Sequence, residues 1–327
     1  MRFLDAAAVD AALDDIALVD RLEALFRAGC EMPVRHHHPI KAPTGPGSSD
    51  AMLLLMPAWT SASATQRHIG VKIVTVFPDN GLKSLPAIYG QYLLLSGETG
   101  QPLALLDGAM LTKRRTACAS GLASRYLSRP DSRSLLMIGT GALAPQLIRV
   151  HCKIRPIERV AIWGRTAAHT QSLARQLADS LPKALGRAVS VTAVTDRAAA
   201  ARDADIISCA TLSRTPLVEG AWLKPGQHID LVGAYTPEMR ESDDMAVRAA
   251  RIFVDTMAGA MKEAGDIALP LRSGEIEEDD VLADLYGLTR GQHDGRSKGD
   301  AQSITLFKSV GAALEDLAAA ELAIEHP

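Results

Sequence analysis

Cysteine is sparse in this chain. Cys30, Cys118, Cys152 and Cys209 are the four in 327 residues, and they stand far apart. No C-x-x-C pair or zinc-finger spacing occurs, which argues against a disulfide scaffold and points to free, mostly buried thiols in a reducing compartment. Long hydrophobic runs are missing too. The longest, Met52 to Trp59, is broken by Pro57 and is far shorter than the ~20 residues of a membrane-spanning helix. The opening MRFLDAAAVDAALDD turns acidic where a secretory signal would carry an apolar core. Charge of one sign is also lacking: 35 basic against 38 acidic residues give a net −3, so no bulk attraction to nucleic acid or to an anionic membrane is expected. These absences lead to the expectation of a soluble, cytoplasmic protein that handles small molecules.

What is present is core material. The chain is 47 % hydrophobic and 22 % charged, and its length suits about two domains. Residues 5–28 read as one helix, with Asp5 as N-cap, Val9, Leu13, Ile16 and Val19 at helical spacing, and Gly29 as its stop. The stretch Lys41 to Asp50 reads as an exposed loop. From there to Thr112, short β-branched and apolar runs (MLLLMPAW, IGVKIVTVF, YLLLS, PLALLDG) alternate with turn signals such as Pro78-Asp79-Asn80-Gly81, which predicts hairpins.

After Ala117 dense apolar strands at 134–139, 159–164, 188–194, 204–211, 228–235 and 251–256 alternate with helical segments such as 142–153 and 167–180. This is the pattern of a parallel sheet buried on both faces, a Rossmann-type doubly wound α/β domain. Gly287 to Asp300 reads as a loop, followed by ITLFKSVGAALEDLAAAELAI as a helix striped by Leu306, Val310, Leu314 and Leu317. That last segment is expected to return to the first domain.

The sharpest local signal is Gly139-Thr140-Gly141-Ala142-Leu143-Ala144, a G-x-G-x-x-A between a strand and a helix. One glycine makes the tight turn, the next admits a pyrophosphate to the backbone, and the small Ala144 lets helix and strand pack. The next strand ends Trp163-Gly164-Arg165-Thr166, with no carboxylate between Ile162 and Ala178. Arg165 and Thr166 therefore stand where an NAD enzyme carries a ribose-reading acid, and a guanidinium there suits a 2′-phosphate. NADPH is expected, with NADH less favoured. Thr211, Val232, Gly233 and Thr256 lie at strand ends on the carboxyl edge, where such sheets bind ligand.

Lys72 is a lone cation inside an apolar strand and must be paired or functional, because burying an ammonium is costly. Arg35 and Arg115 have the planar fork that suits a carboxylate; a structural ion pair is the alternative for each. His36-His37-His38 has no acidic or Cys partner at ligand spacing, so no metal site is expected. Glu238, Arg240, Glu241, Asp243 and Asp244 read as a solvated charge run.

Several phrases in order, Met32-Pro33-Val34-Arg35, Gly70-Val71-Lys72-Ile73-Val74 with Phe77-Pro78, Leu111-Thr112, Arg115-Thr116-Ala117, GTGALA, WGRT and ITLFKSVGAALEDLAAA, resemble the ornithine cyclodeaminase/mu-crystallin family. The resemblance implies a Rossmann domain (117–299) inserted into an α+β substrate and dimerisation domain (1–116 plus 300–327), and a homodimer. It implies that Arg35, Lys72, Arg115 and Thr116 contact an imino- or amino-acid substrate. Cyclodeaminases of the family carry an acid two positions after the glycine ending the fifth strand, where this sequence has Tyr235. A phenol titrating near pH 10 cannot replace a carboxylate. The expected activity is NADPH-dependent reduction of small cyclic ketimino acids, Δ1-pyrroline-2-carboxylate to L-proline and Δ1-piperideine-2-carboxylate to L-pipecolate. An amino-acid dehydrogenase, an N-alkyl-amino-acid reductase, an ornithine cyclodeaminase and a non-catalytic ligand-binding protein of mu-crystallin type are the alternatives.

Overall fold

The computed structural model describes residues 1–42 and 49–325 and separates into two compact units, Met1–Arg115 with Ala313–Pro327, and Thr116–Ala312. The first opens with β1 (Arg2–Leu4), α1 (Ala6–Ala12) and α2 (Asp15–Ala28). The single helix expected over 5–28 is thus two. Asp5 caps the first through Ala8 N, and Asp14 caps the second by accepting from Ile16 and Ala17 N. A short acid that bonds the backbone N–H groups following it starts a helix better than it continues one. Gly29 ends α2 with φ +84°.

Strands β2 (Cys30–Glu31), β3 (His36–Ile40), β4 (Ala51–Thr60), β5 (His68–Val76), β6 (Ile88–Ser96) and β7 (Pro102–Asp107) follow, then α3 (Gly108–Leu127), within which the division between the units falls. The sheet order is β1-β7-β6-β5-β4-β2, with β3 also on β4. All pairings are antiparallel except β1 on β7. The register sets Lys72 opposite Met56 on one side and Tyr92 on the other. Of the loop expected over Lys41–Asp50, residues 43–48 lie outside the described residues; at its ends Lys41 and Asp50 pair at 2.7 Å.

The second unit alternates β8 (Ser134–Ile138), α4 (Ala144–Ile154), β9 (Arg159–Trp163), α5 (Ala167–Leu185), β10 (Ser190–Ala193), α6 (Arg197–Asp203), β11 (Ile206–Cys209), β12 (His228–Leu231), α7 (Asp244–Ala249), β13 (Ala250–Val254), α8 (Met257–Glu263), α9 (Gly265–Ser273), β14 (Val281–Asp284), α10 (Leu285–Thr289) and β15 (Ile304–Lys308). All eight strands are parallel, in the order β10-β9-β8-β11-β12-β15-β13-β14. The core of this unit is the Ile, Leu and Val of β8, β11, β12, β13 and β15, all but inaccessible to solvent.

Two features depart from the expectation. ITLFK is a strand, not the start of a helix, and residues 300–312 belong to the second unit, where β15 sits between β12 and β13. Only α11 (Ala313–Glu325) is helical, after Gly311 turns the chain at φ +84°. A short apolar run buried on both faces has the same period signature in either state. β14, the edge strand VLAD, is only four residues long and lies outside the strands expected from the sequence. α11 packs in the first unit against α2, β4 and β5.

Candidate active site

The first unit gathers two of the residues singled out from the sequence, Lys72 and Arg115, around one acid. Lys72 Nζ lies 2.7 Å from Asp316 Oδ2 as an ion pair, and Arg115 Nε donates to Asp316 Oδ1 at 3.0 Å. Arg115 Nη1 also donates to Glu315 Oε2 at 2.5 Å. Lys72, Arg115, Glu315 and Asp316 are all buried. β5 delivers the lysine, α3 the guanidinium, and the first turn of α11 both acids. Burial, the largest influence, brings the Lys72 ammonium down to about 8; Arg115 and Arg35 push the same way and Asp316 opposes them. Arg35, half-buried between β2 and β3, is thus within electrostatic reach of Lys72. Thr116 follows Arg115 on α3 and is buried. Tyr92, the cross-strand partner of Lys72, is fully buried, and its hydroxyl occupies the space above Gly70, where a Cβ would lie 1.8 Å from it. Burial raises this phenol well above its usual range.

Neither Glu315 nor Asp316 was identified from the sequence. The signal was the same as for Lys72, charge inside an apolar segment (AALEDLAAA), but a helix surface is where charges ordinarily belong.

In the second unit the glycine loop has the geometry its composition demands. Gly139 adopts φ +117°, and a Cβ on it would lie 2.6 Å from Ala210 O. Gly141 faces open space and Ala142 is exposed, whereas Ala144 is fully buried where α4 meets the sheet. Thr140 packs against Gly164, and Leu143 is the N-cap of α4. Ala144 N donates to Gly141 O and Pro145 has no N–H, so the cradle that fits a pyrophosphate is the uncovered turn at Gly141, Ala142 and Leu143 that leads into α4. Arg165 is exposed and lines a cleft of about 260 Å³ together with Trp163, Thr170, Gln171 and Thr195; the α5 N-cap Thr166 beside it is exposed too.

Thr211, Val232 and Gly233 lie just beyond β11 and β12, at the carboxyl edge. The hydroxyl of Thr211 is already committed: it donates to Glu241 Oε1 at 2.9 Å. Glu241 corrects the solvated reading of 238–244, because Glu241 and Ser242 are inaccessible to solvent. The segment folds inward because Asp266 Oδ1 accepts from both their N–H groups at 2.8 Å. Asp243 caps α7 through Ala246 N. Thr256 is the N-cap of α8 at the end of β13. Tyr235 is 40 % exposed. His36, His37 and His38 are exposed on β3. No group of His, Cys, Asp and Glu among the described residues could hold a metal, and no helix among them is long and apolar enough to cross a membrane.

Fold and loop together define a dinucleotide-binding α/β protein with a separate unit bearing a buried cluster of paired charges. The ornithine cyclodeaminase/mu-crystallin family model matches residues 3–326, and the chain belongs to that family. It is 43 % identical to the protein SAR DEFICIENT 4 of Arabidopsis thaliana, over 90 % of this chain and 86 % of that protein. It is 36 % identical to a Delta(1)-pyrroline-2-carboxylate reductase of Colwellia psychrerythraea, over 99 % of both. The solved Delta(1)-pyrroline-2-carboxylate reductase of Thermococcus litoralis, in complex with NADH and L-proline, matches with a TM-score of 0.88 and 31 % identity, covering 99 % of this chain and 97 % of that one.

Proposed function

We propose that this NAD(P)H-dependent oxidoreductase of C=N bonds reduces small cyclic ketimino acids, Δ1-pyrroline-2-carboxylate and Δ1-piperideine-2-carboxylate, to L-proline and L-pipecolate. The observation that carries the reading is the buried Lys72–Asp316–Arg115 cluster, in a chain whose second unit has the glycine cradle of a nucleotide-binding domain. Arg35 and Arg115 hold the substrate carboxylate by charge-assisted hydrogen bonds. Lys72, with its ammonium lowered to about 8, is tuned to give up a proton near neutral pH, and the imine nitrogen is the group that needs one. Thr116, the residue after Arg115 on α3, adds a hydroxyl.

A bound reduced nicotinamide supplies the hydride to C2 of the ring. Gly139, Thr140, Gly141, Ala142 and Leu143 cradle its pyrophosphate; Thr211, Val232 and Gly233 line the nicotinamide half; Arg165 and Thr166 take the 2′-phosphate of NADPH, the favoured cofactor. The NADH in the Thermococcus litoralis relative is that protein's ligand, and the preference proposed here rests on Arg165. The first unit also forms a homodimer, supported by Ile73, Ile88 and Tyr89 exposed on β5 and β6. The test is NADPH and NADH oxidation with both cyclic ketimines, with pyruvate plus amines, and with L-ornithine. Turnover confined to pyruvate plus ammonia or amines would make the protein a dehydrogenase or N-alkyl-amino-acid reductase instead.

A further inference from the structure

The reaction just described leaves unused a buried polar arrangement in the second unit, centred on Glu241. Glu241 is inaccessible to solvent, and its carboxylate spans two strand ends. Oε1 accepts from Thr211 N at 2.7 Å and Thr211 Oγ1 at 2.9 Å, and Oε2 accepts from Gly233 N at 2.7 Å. The two backbones are pressed together there: a Cβ on Gly233 would lie 1.9 Å from Thr211 O and 2.6 Å from Glu241 Oε1. The segment carrying Glu241 is itself anchored. Asp266 of α9 accepts from Glu241 N, Ser242 N and Ser242 Oγ at 2.8, 2.8 and 2.9 Å, while Glu241 O accepts from Leu217 and Val218 N.

The carboxyl ends of neighbouring strands form the ligand crevice of a doubly wound sheet. N–H groups at such ends ordinarily turn to ligand or water; here two of them and a hydroxyl are tied to one side chain. We propose that Glu241 is a positioning residue for the nicotinamide nucleotide: it clamps the ends of β11 and β12 so that Thr211, Val232 and Gly233 keep the spacing the cofactor's nicotinamide half requires. This rests on the assignment of those three residues to the cofactor.

The clamp accepts all three bonds only as an anion, since the two backbone N–H groups can only donate and the Thr211 hydroxyl donates as well. The charged and titratable groups facing Glu241 are Lys308 from β15, Asp266 from α9 and Cys209 from β11. Burial, the largest influence, together with Asp266 holds the Glu241 carboxyl up to about 7 against the pull of Lys308, the Cys209 thiol and Gly233 N–H. Ionised above that pH, the carboxylate accepts all three bonds; protonated below it, one oxygen becomes a donor, and the bonds to the two N–H groups and the Thr211 hydroxyl can no longer all be kept as they are.

The experiment is the dissociation constant of NADH and NADPH, read by protein fluorescence from pH 5.5 to 8.5, alongside thermal melting without cofactor. The full-length protein is compared with Glu241→Gln and Glu241→Asp. The wild type should bind both nucleotides about tenfold more weakly at pH 6 than at pH 8. Glu241→Gln should bind weakly throughout and lose most of that dependence, and Glu241→Asp, charged but too short to span both strands, should weaken binding while keeping it. A role in folding alone would lower the melting temperature and leave the dissociation constants and their pH profile in place, which overturns the proposal. Should Glu241→Gln fail to fold, a wild-type constant flat from pH 6 to 8 overturns it equally. A wild type that binds neither nucleotide defeats the cofactor assignment itself, and the clamp with it.

Discussion

Asp316 Oδ2 lies 2.7 Å from Lys72 Nζ while its Oδ1 accepts Arg115 Nε at 3.0 Å, so one buried carboxylate sets the separation of two cations contributed by a strand and a helix. Asp316→Asn preserves the shape and removes the charge. Breaking a buried pair on one side costs roughly 3–5 kcal/mol, which urea unfolding should register. Lys72 loses its main support as a cation, so the alkaline limb of kcat/KM should move below pH 8. A variant with a wild-type pH profile would detach Asp316 from the chemistry.

Lys72 itself predicts the shape of that profile. With its ammonium lowered to about 8, reductive turnover should fall as pH rises through that value, because the proton donor is then lost. The stability effect has the opposite sense: between about 8 and the ordinary 10.5 the unfolded chain holds the proton and the folded one does not, so this group makes stability rise with pH. Lys72→Met should fold, abolish that slope and cut turnover by orders of magnitude. Near-wild-type kcat would leave Lys72 a structural ion pair.

Arg165 is exposed at the end of β9 beside the cleft it lines with Trp163 and Thr195. Arg165→Ala should raise KM for NADPH far more than for NADH, since only the former loses a charge-assisted contact of roughly 1.5–3 kcal/mol. Equal weakening of both would mean that Arg165 does not read the phosphate.

Tyr235 is exposed beyond β12, at the position where the family resemblance implies an acid in a cyclodeaminase. Releasing ammonia from ornithine requires proton traffic through a group ionising near neutrality, so no proline or ammonia should form from L-ornithine. Tyr235→Asp alone should not create that activity. Ammonia from the unmodified protein would overturn the exclusion.

Deep in the second unit, Asp230 accepts from Ser120, Ser208 and His151, and burial lowers the neighbouring His228 to about 3. The unfolded chain protonates this imidazole near its ordinary 6.5. Stability should therefore fall as pH drops below 6.5, by up to about 1.4 kcal/mol per pH unit from this residue. His228→Gln should flatten the urea midpoint between pH 4 and 6; an unchanged slope would place the acid sensitivity elsewhere.

The signals legible in the sequence are those that act over a few residues. The glycine turn at 139–144, the helix caps at Asp5 and Gly29, the β-branched runs and the lone Lys72 each state a local requirement that one stretch of chain can meet. The family follows from the same stretches in their order. What only the tertiary structure decided depends on partners far apart in sequence. ITLFK is a strand because β12 and β13 leave a place between them. Arg115 is held by Glu315 and Asp316 two hundred residues away. Glu241 is a buried clamp rather than a solvated charge because Asp266 draws its backbone inward and Thr211 and Gly233 offer it three donors. A charge states its cost of burial in the sequence; the groups that offset that cost are brought to it only by the fold.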